Sequence, residues 1–269
     1  IMVTAAAASL RWSSFNARMH IVVLIVCSSL PCAAVENSLH DASVAGDVGR
    51  IKALVDAGAS LEAQTDQKGT ALHRAAAQGD VKAVRALVAA GAALEAKTAE
   101  GMTPLHVASE LGNVKAIRAL VKAGASLEAR EEQEWTPLHV AAAVGHAAVI
   151  RALVKAGASL EAQTDQVGTA MHVAAAMGHA EAIGALVKAG AALDARTDKN
   201  GTPLHVAAAS GHVEAIRALV DAGASIEARD DQKSTPLDLA SDARARQALA
   251  DARKAQRKAL GRRGRKQEL

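Results

Sequence analysis

Apolar positions recur along this chain in a fixed two-part phrase. After Thr103, the residues Leu105, Val107 and Ala108 form one short apolar run; Val114, Ile117, Leu120 and Val121 then follow at helical spacing, with Lys115, Arg118 and Lys122 facing away. Thr103 is a good N-cap, and Pro104 suits the first helical position, where its missing N–H costs nothing. A short helix therefore starts there and stops at Gly112, and a second follows at once and stops at Gly124. The polar stretch Leu127 to Glu134 comes next, too hydrophilic for a core and short enough to be a turn or hairpin. The same phrase begins at Thr70, Thr136, Thr169, Thr202 and Thr235, each 33 residues after the one before, and a weaker copy near Asn37 keeps Leu39 and His40.

One helix pair of this length cannot bury its apolar face alone, so the seven units must stack and share an elongated core. The segment Gly101-Met102-Thr103-Pro104-Leu105-His106-Val107-Ala108, repeated at this period, resembles the ankyrin repeat, and the resemblance covers roughly residues 37 to 245. It implies an all-α solenoid of stacked helix-turn-helix ankyrin repeats with projecting β-hairpin loops. It also implies a module that binds other proteins, usually through a concave surface of hairpin tips and first-helix faces. The chain departs from the family pattern at the tips: the glycine expected two residues before Thr is present as Gly101 but replaced by Lys68, Glu134, Val167, Asn200 and Lys233.

Residues 1–34 do not belong to the array. Arg11, Arg18 and His20 precede the apolar run Ile21 to Leu30, which is followed by Pro31-Cys32-Ala33-Ala34, the order of a secretory signal peptide. The competing expectation is an organelle transit peptide. The run falls short of the roughly 20 residues that span a bilayer, so no stable membrane anchor is expected. Both cysteines, Cys27 and Cys32, lie in this leader, which leaves the array without thiolate chemistry. The array is placed at 35–252, with repeats starting near 37, 70, 103, 136, 169, 202 and 235, and a basic, disordered tail at 253–269. Of the formal charge, the stretch from Arg244 to Leu269 holds ten Lys/Arg against two acids, so the repeats themselves are net acidic. Lys266-Gln267-Glu268-Leu269 resembles the signal that retains proteins in the endoplasmic reticulum, which agrees with the leader. Cytoplasm or nucleus is the alternative, the latter through Arg262-Arg263-Gly264-Arg265-Lys266.

Ten histidines invite a metal or catalytic assignment, and six fall on the period, from His40 to His205. Helices stacked about 8–10 Å apart cannot bring two such imidazoles within about 2.1 Å of one ion. Each is expected instead to bond Thr and loop backbone. No phosphate loop, nucleophile elbow or carboxylate pair stands apart from the repeat pattern, so no catalytic residue, metal or cofactor is assigned and an enzyme is not expected. The informative residues are those that vary where the fold does not dictate them. Two positions at the exposed end of the first helix read Ala77-Gln78, Glu110-Leu111, Ala143-Val144, Ala176-Met177 and Ala209-Ser210; the residue before Thr reads Gly69, Met102, Trp135, Gly168 and Gly201. By resemblance these line the concave surface, so Met102, Leu111, Trp135, Val144 and Met177 are the candidate partner-binding residues, with Trp135 as anchor. The competing assignment buries Leu111, Val144 and Met177 partly between repeats and lays Trp135 over a hairpin.

Asn200-Gly201-Thr202 makes Asn200 a glycosylation candidate. The expected function is a monomeric, non-enzymatic scaffold for an unidentified protein partner. The alternatives are a substrate adaptor in an enzyme complex, or an anionic-surface or nucleic-acid binder through the basic tail. Nucleic acid is the weaker expectation, since the tail lacks stacking aromatics and any reading motif.

Overall fold

The structure, a computed structural model, describes residues 39–164 and 166–267. The leader with its two cysteines, and the last two residues of the retention-like tetrapeptide, lie outside the described residues. Among the described residues there are fourteen helices, in two compact units divided after Ser126.

The first unit holds α1 (Leu39–Ala45), α2 (Val48–Asp56), α3 (Ala71–Gln78), α4 (Val81–Ala89), α5 (Pro104–Glu110) and α6 (Val114–Lys122). The second holds α7 (Pro137–Val144), α8 (Ala147–Lys155), α9 (Ala170–Met177), α10 (Ala180–Ala189), α11 (Pro203–Ser210), α12 (Val213–Ala222), α13 (Pro236–Leu239) and α14 (Ala243–Gln267). Within each unit, first helices pack on first helices and second on second, so every inner pair is sandwiched. Leu87 and Leu120 in the first unit, and Leu153, Leu186 and Leu219 in the second, are fully buried on the second-helix layer. Alanines such as Ala75, Ala108, Ala141 and Ala174 fill the first-helix layer, and their small side chains allow close approach.

Three sets of polar bonds repeat with the period. The first uses histidine. In α7, Thr136 N–H donates to His139 Nδ1 (3.3 Å), closing the N-cap, while His139 Nε2 reaches the carbonyl of Gly168 (3.1 Å) in the following repeat. His73 does the same between Thr70 and the Met102 carbonyl, and His172 and His205 between their threonines and the carbonyls of Gly201 and Ser234. Since Nδ1 accepts a backbone proton, Nε2 must carry the hydrogen; the ring is neutral and both nitrogens are engaged. In the last repeat Asp238 replaces histidine and its carboxylate accepts from Thr235 N–H at 2.8 Å.

The second set ties the start of a second helix to the end of the first helix one repeat before, at α6 and α10. Asn113 Nδ2 donates to the carbonyls of Ala76 and Ala77 (3.0 and 2.7 Å), and His179 Nε2 to that of Ala143 (2.9 Å). This explains Gly145, which ends α7 at φ 83°: a Cβ there would meet the His179 ring at 2.8 Å. The third set is carboxylate to backbone. Glu62 and Glu95 in the first unit, and Glu128, Glu161 and Asp194 in the second, each accept the N–H of a residue 31 positions on, at 2.7 to 3.0 Å.

The ends depart from this plan. Arg50 stands where Ala83 and Ala116 are buried, and Leu54 is half-buried where Leu87 and Leu120 are fully covered. At the other end, position 258, which would be the donor to Glu227 by the same 31-residue spacing, lies inside α14 and not in a loop. Arg253 of α14 takes both oxygens of that carboxylate instead. Ala245 and Leu249 are fully buried on the same helix, which packs on α12. The sequence places a disordered tail from residue 253. The backbone is instead helical to Gln267, because α14 is anchored at its start and its Ala, Arg, Lys and Gln residues favour helix enough to carry it through Gly261 and Gly264.

Candidate functional site

The tips that project between helix pairs are tight loops rather than extended hairpins. Thr98 N–H donates to the Met102 carbonyl (3.0 Å) and Thr197 N–H to that of Gly201 (3.0 Å), one rung per loop. Such a loop needs one left-handed residue, and the chain places it two residues before Thr whatever the side chain. Lys68, Glu134, Asn200 and Lys233 all have φ between 55° and 65°, and Gly101 has 77°. Val167 is the exception. A β-branched side chain is a poor fit for that conformation, and the positive φ moves one residue on, to Gly168 at 87°. Among the described residues this loop alone closes as a reciprocal bridge, Thr164 N–H to Gly168 O at 3.2 Å and Gly168 N–H to Thr164 O at 3.3 Å.

Met102 and Leu111 belong to the first unit; Trp135, Val144 and Met177 belong to the second. Four of the five are half-buried, with surface left to touch a partner. Trp135 is not: it is only 4% exposed. Its ring lies 6.4 Å from that of His139, its N–H donates to Glu131 Oε1 (3.1 Å), and its carbonyl accepts from Glu131 N–H (3.2 Å). The exposed anchor expected from the sequence is thus a buried residue. The carbonyl of the residue before Thr is held by the preceding repeat's histidine at Gly69, Met102 and Gly168, yet Met102 stays half-buried, so the burial of Trp135 goes with its own loop, where Glu131 closes on its backbone and its ring lies beside His139. Val144 and Met177 end α7 and α9, which pack on each other, and sit at the same register.

Glu110 stands at one of the variable first-helix positions, expected to be exposed, and is instead buried. At the positions equivalent to it the repeats carry Ala77, Ala143, Ala176 and Ala209, and a long acid at a small-residue position was the available signal. It is buried at the C-terminal end of α5, where the helix dipole already disfavours negative charge. Burial, with the Glu100 carboxylate as a lesser cause, pushes its pKa up to about 7. His139 and His172 move the other way. Burial lowers both to about 4, opposed by the carbonyls of Gly168 and Gly201 that accept from them.

Asn200 is exposed at its tip, and its Nδ2 donates to Asp231 Oδ1 at 2.6 Å. Thr202, the third residue of that acceptor sequence, is buried, and its hydroxyl lies 2.8 Å from His205 Nδ1. Among the described residues no helix is long and apolar enough to cross a membrane, and no cluster of His, Cys, Asp or Glu has metal-binding geometry.

Stacked helix pairs, capped by Thr and His and tied through carboxylate-to-backbone bonds, define a helical repeat protein of the solenoid class. The family description "Ankyrin repeats (3 copies)" matches residues 39–131 and 125–197, and "Ankyrin repeats (many copies)" matches 186–240. The chain belongs to the ankyrin repeat family. It is similar to the human ASB11 ankyrin repeat domain, at 30% identity and TM-score 0.70, over 80% of this chain and 96% of that one. It is similar also to the ankyrin repeat domain of Bcl-3, described as a unique member of the IkappaB protein family, at 27% identity and TM-score 0.70, over 81% of this chain and 100% of that one. No curated protein matches it by sequence. Ankyrin repeats are generally protein–protein interaction modules.

Proposed function

We propose that the array is a non-enzymatic scaffold that docks one protein partner through the ends of its first helices. The observation that carries this reading is the variation at one register of an otherwise uniform surface. In the second unit Val144 and Met177 are apolar and half-buried where Ser210 is polar, and in the first unit Leu111 is apolar where Gln78 is polar. Methionine adapts to irregular partner surfaces, and short apolar side chains on a rigid frame lose little entropy on docking. Trp135 has no part in the contact.

The test is a capture experiment with the full chain immobilised, beside a Val144→Glu/Met177→Glu variant and a Trp135→Phe variant. Partners identified on the parent are reconstituted one at a time and their affinities measured. The double variant should lower affinity at least tenfold with an unchanged melting temperature, and Trp135→Phe should leave it within twofold. An affinity indifferent to the double variant would move the contact elsewhere.

A further inference from the structure

The last helix has two halves that do different things. From Ala243 to Arg253 it is part of the fold: Ala245 and Leu249 are buried, Ala252 is half-buried, and Arg253 holds Glu227. From Lys254 to Gln267 the backbone stays helical, and Lys254, Ala255, Gln256 and Lys258 are exposed. This half carries Lys254, Arg257, Lys258, Arg262, Arg263, Arg265 and Lys266, and no acid.

Helical spacing orders these charges. Advancing about 100° per residue, positions 254, 258, 262 and 265 fall within one quarter of the helix circumference, and 257 lies beside them. Positions 245, 249 and 252, which pack the helix down, fall on the opposite side. Arg253 belongs with the packed side. Five of the seven cationic positions, 254, 257, 258, 262 and 265, therefore fall on the helix face opposite the one that anchors it, while 263 and 266 fall outside that row.

We propose that residues 254–267 form a DNA-binding arm, which lies in the major groove of duplex DNA and holds its phosphates without reading sequence. Length and width both fit: the segment spans about 21 Å, or roughly six base pairs, and a helix about 10–12 Å across enters a groove about 12 Å wide. A membrane is disfavoured because the segment has no apolar face, only Ala255, Ala259 and Leu260. Single strands are disfavoured because it has no aromatic on which a base stacks. The net acidic repeats repel the same phosphates, which confines binding to the arm. The sequence alone gives a basic, disordered tail, and the anchored, unbroken helix is the observation that changes this. The arm is separate from the protein-docking surface, and either can fail without the other.

The full chain is titrated into a 20-base-pair duplex DNA of arbitrary sequence by fluorescence anisotropy, from 50 to 200 mM KCl. Parallel titrations use single-stranded DNA, duplex RNA and vesicles containing phosphatidylserine. With about five cations on phosphates, affinity should fall several-hundred-fold across that salt range. A Lys254→Gln/Lys258→Gln/Arg262→Gln/Arg265→Gln variant should lose at least a hundredfold at 50 mM KCl while its thermal melt is unchanged, and far-UV ellipticity of the parent should stay the same on DNA addition, because the arm is helical beforehand. No binding to duplex DNA at 50 mM KCl would overturn the proposal. So would binding that survives in the quadruple variant, or tighter binding to vesicles, single strands or duplex RNA.

Discussion

Acidification from pH 7 to pH 5 should remove about 4 kcal/mol of folding stability through His139 and His172 alone. Each ring has a folded pKa of about 4 against an unfolded value near 6.5, because it is buried, neutral and proton-accepting at Nδ1. Between those values the unfolded chain binds protons that the folded chain refuses, so stability falls as pH falls. The contribution is complete above about pH 6.5 and disappears progressively down to about pH 4. One such group accounts for about 2 kcal/mol between pH 7 and pH 5, and two for about 4. His40, His73 and His205 are lowered by the same cause and add in the same direction. Urea unfolding followed by far-UV circular dichroism at pH 7, 6 and 5 measures the slope, and a His139→Asn/His172→Asn variant should be weaker at pH 7 but markedly flatter. NMR titration of the ring protons should find both rings neutral in the folded protein at pH 5.5. Equal stability at pH 7 and pH 5, or the same slope in the double variant, would refute the neutral, Nε2-protonated assignment.

Glu110 has the opposite sign: its folded pKa is raised to about 7, so its contribution is favourable at low pH and lost as pH rises through 7. Glu110→Gln should therefore stabilise at pH 7.5 by at least about 1 kcal/mol and have almost no effect at pH 4.5, read from the same urea curves. Leu120→Ala, Leu153→Ala and Leu186→Ala each empty a fully buried position and should cost about 2–5 kcal/mol in denaturant melts. Lys233→Gly relieves a left-handed lysine and should raise stability by about 0.5–1 kcal/mol, while Val167→Gly should not, because the positive φ there sits on Gly168. An N-glycan at Asn200 would have to be added before folding, since Thr202 is afterwards buried. An endoglycosidase-induced mobility shift that Asn200→Gln abolishes would place the chain in the secretory pathway, whereas fractionation with nuclei or cytosol and no shift fits the alternative compartments and a DNA ligand.

The repeat period, the helix pairs and their caps were legible because each is written locally: a Thr-Pro start, a glycine stop and an apolar row at helical spacing. The histidine role was legible too, because two imidazoles a repeat apart cannot meet on one ion. What a single repeat does not reveal is who takes its free bonds. Glu128 and Glu161 read as parts of a polar loop, yet each holds a backbone N–H of the next repeat, and only the stacked arrangement brings that donor within reach. Trp135 was also misread. A position that holds Gly, Met and Trp looks like free surface, and Met102 does keep part of its side chain exposed there, but the Trp135 ring is folded in beside His139.

The last helix shows how an anchor changes the reading of a charged segment. Taken alone, Gly261-Arg262-Arg263-Gly264-Arg265-Lys266 lacks the apolar residues to fold, and each glycine costs about 1 kcal/mol relative to alanine in a helix interior. A helix is costly to nucleate, however, and cheaper to extend. Burial of Ala245 and Leu249 and the grip of Arg253 on Glu227 meet the nucleation cost eight residues before the first of those glycines. The same three residues also finish the array, since Arg253 occupies the carboxylate that in earlier repeats accepts a backbone N–H 31 positions on. Ending the stack and launching the arm are thus one act of the chain, and a substitution at Leu249 should disturb both, whereas one at Lys258 should leave the stack untouched.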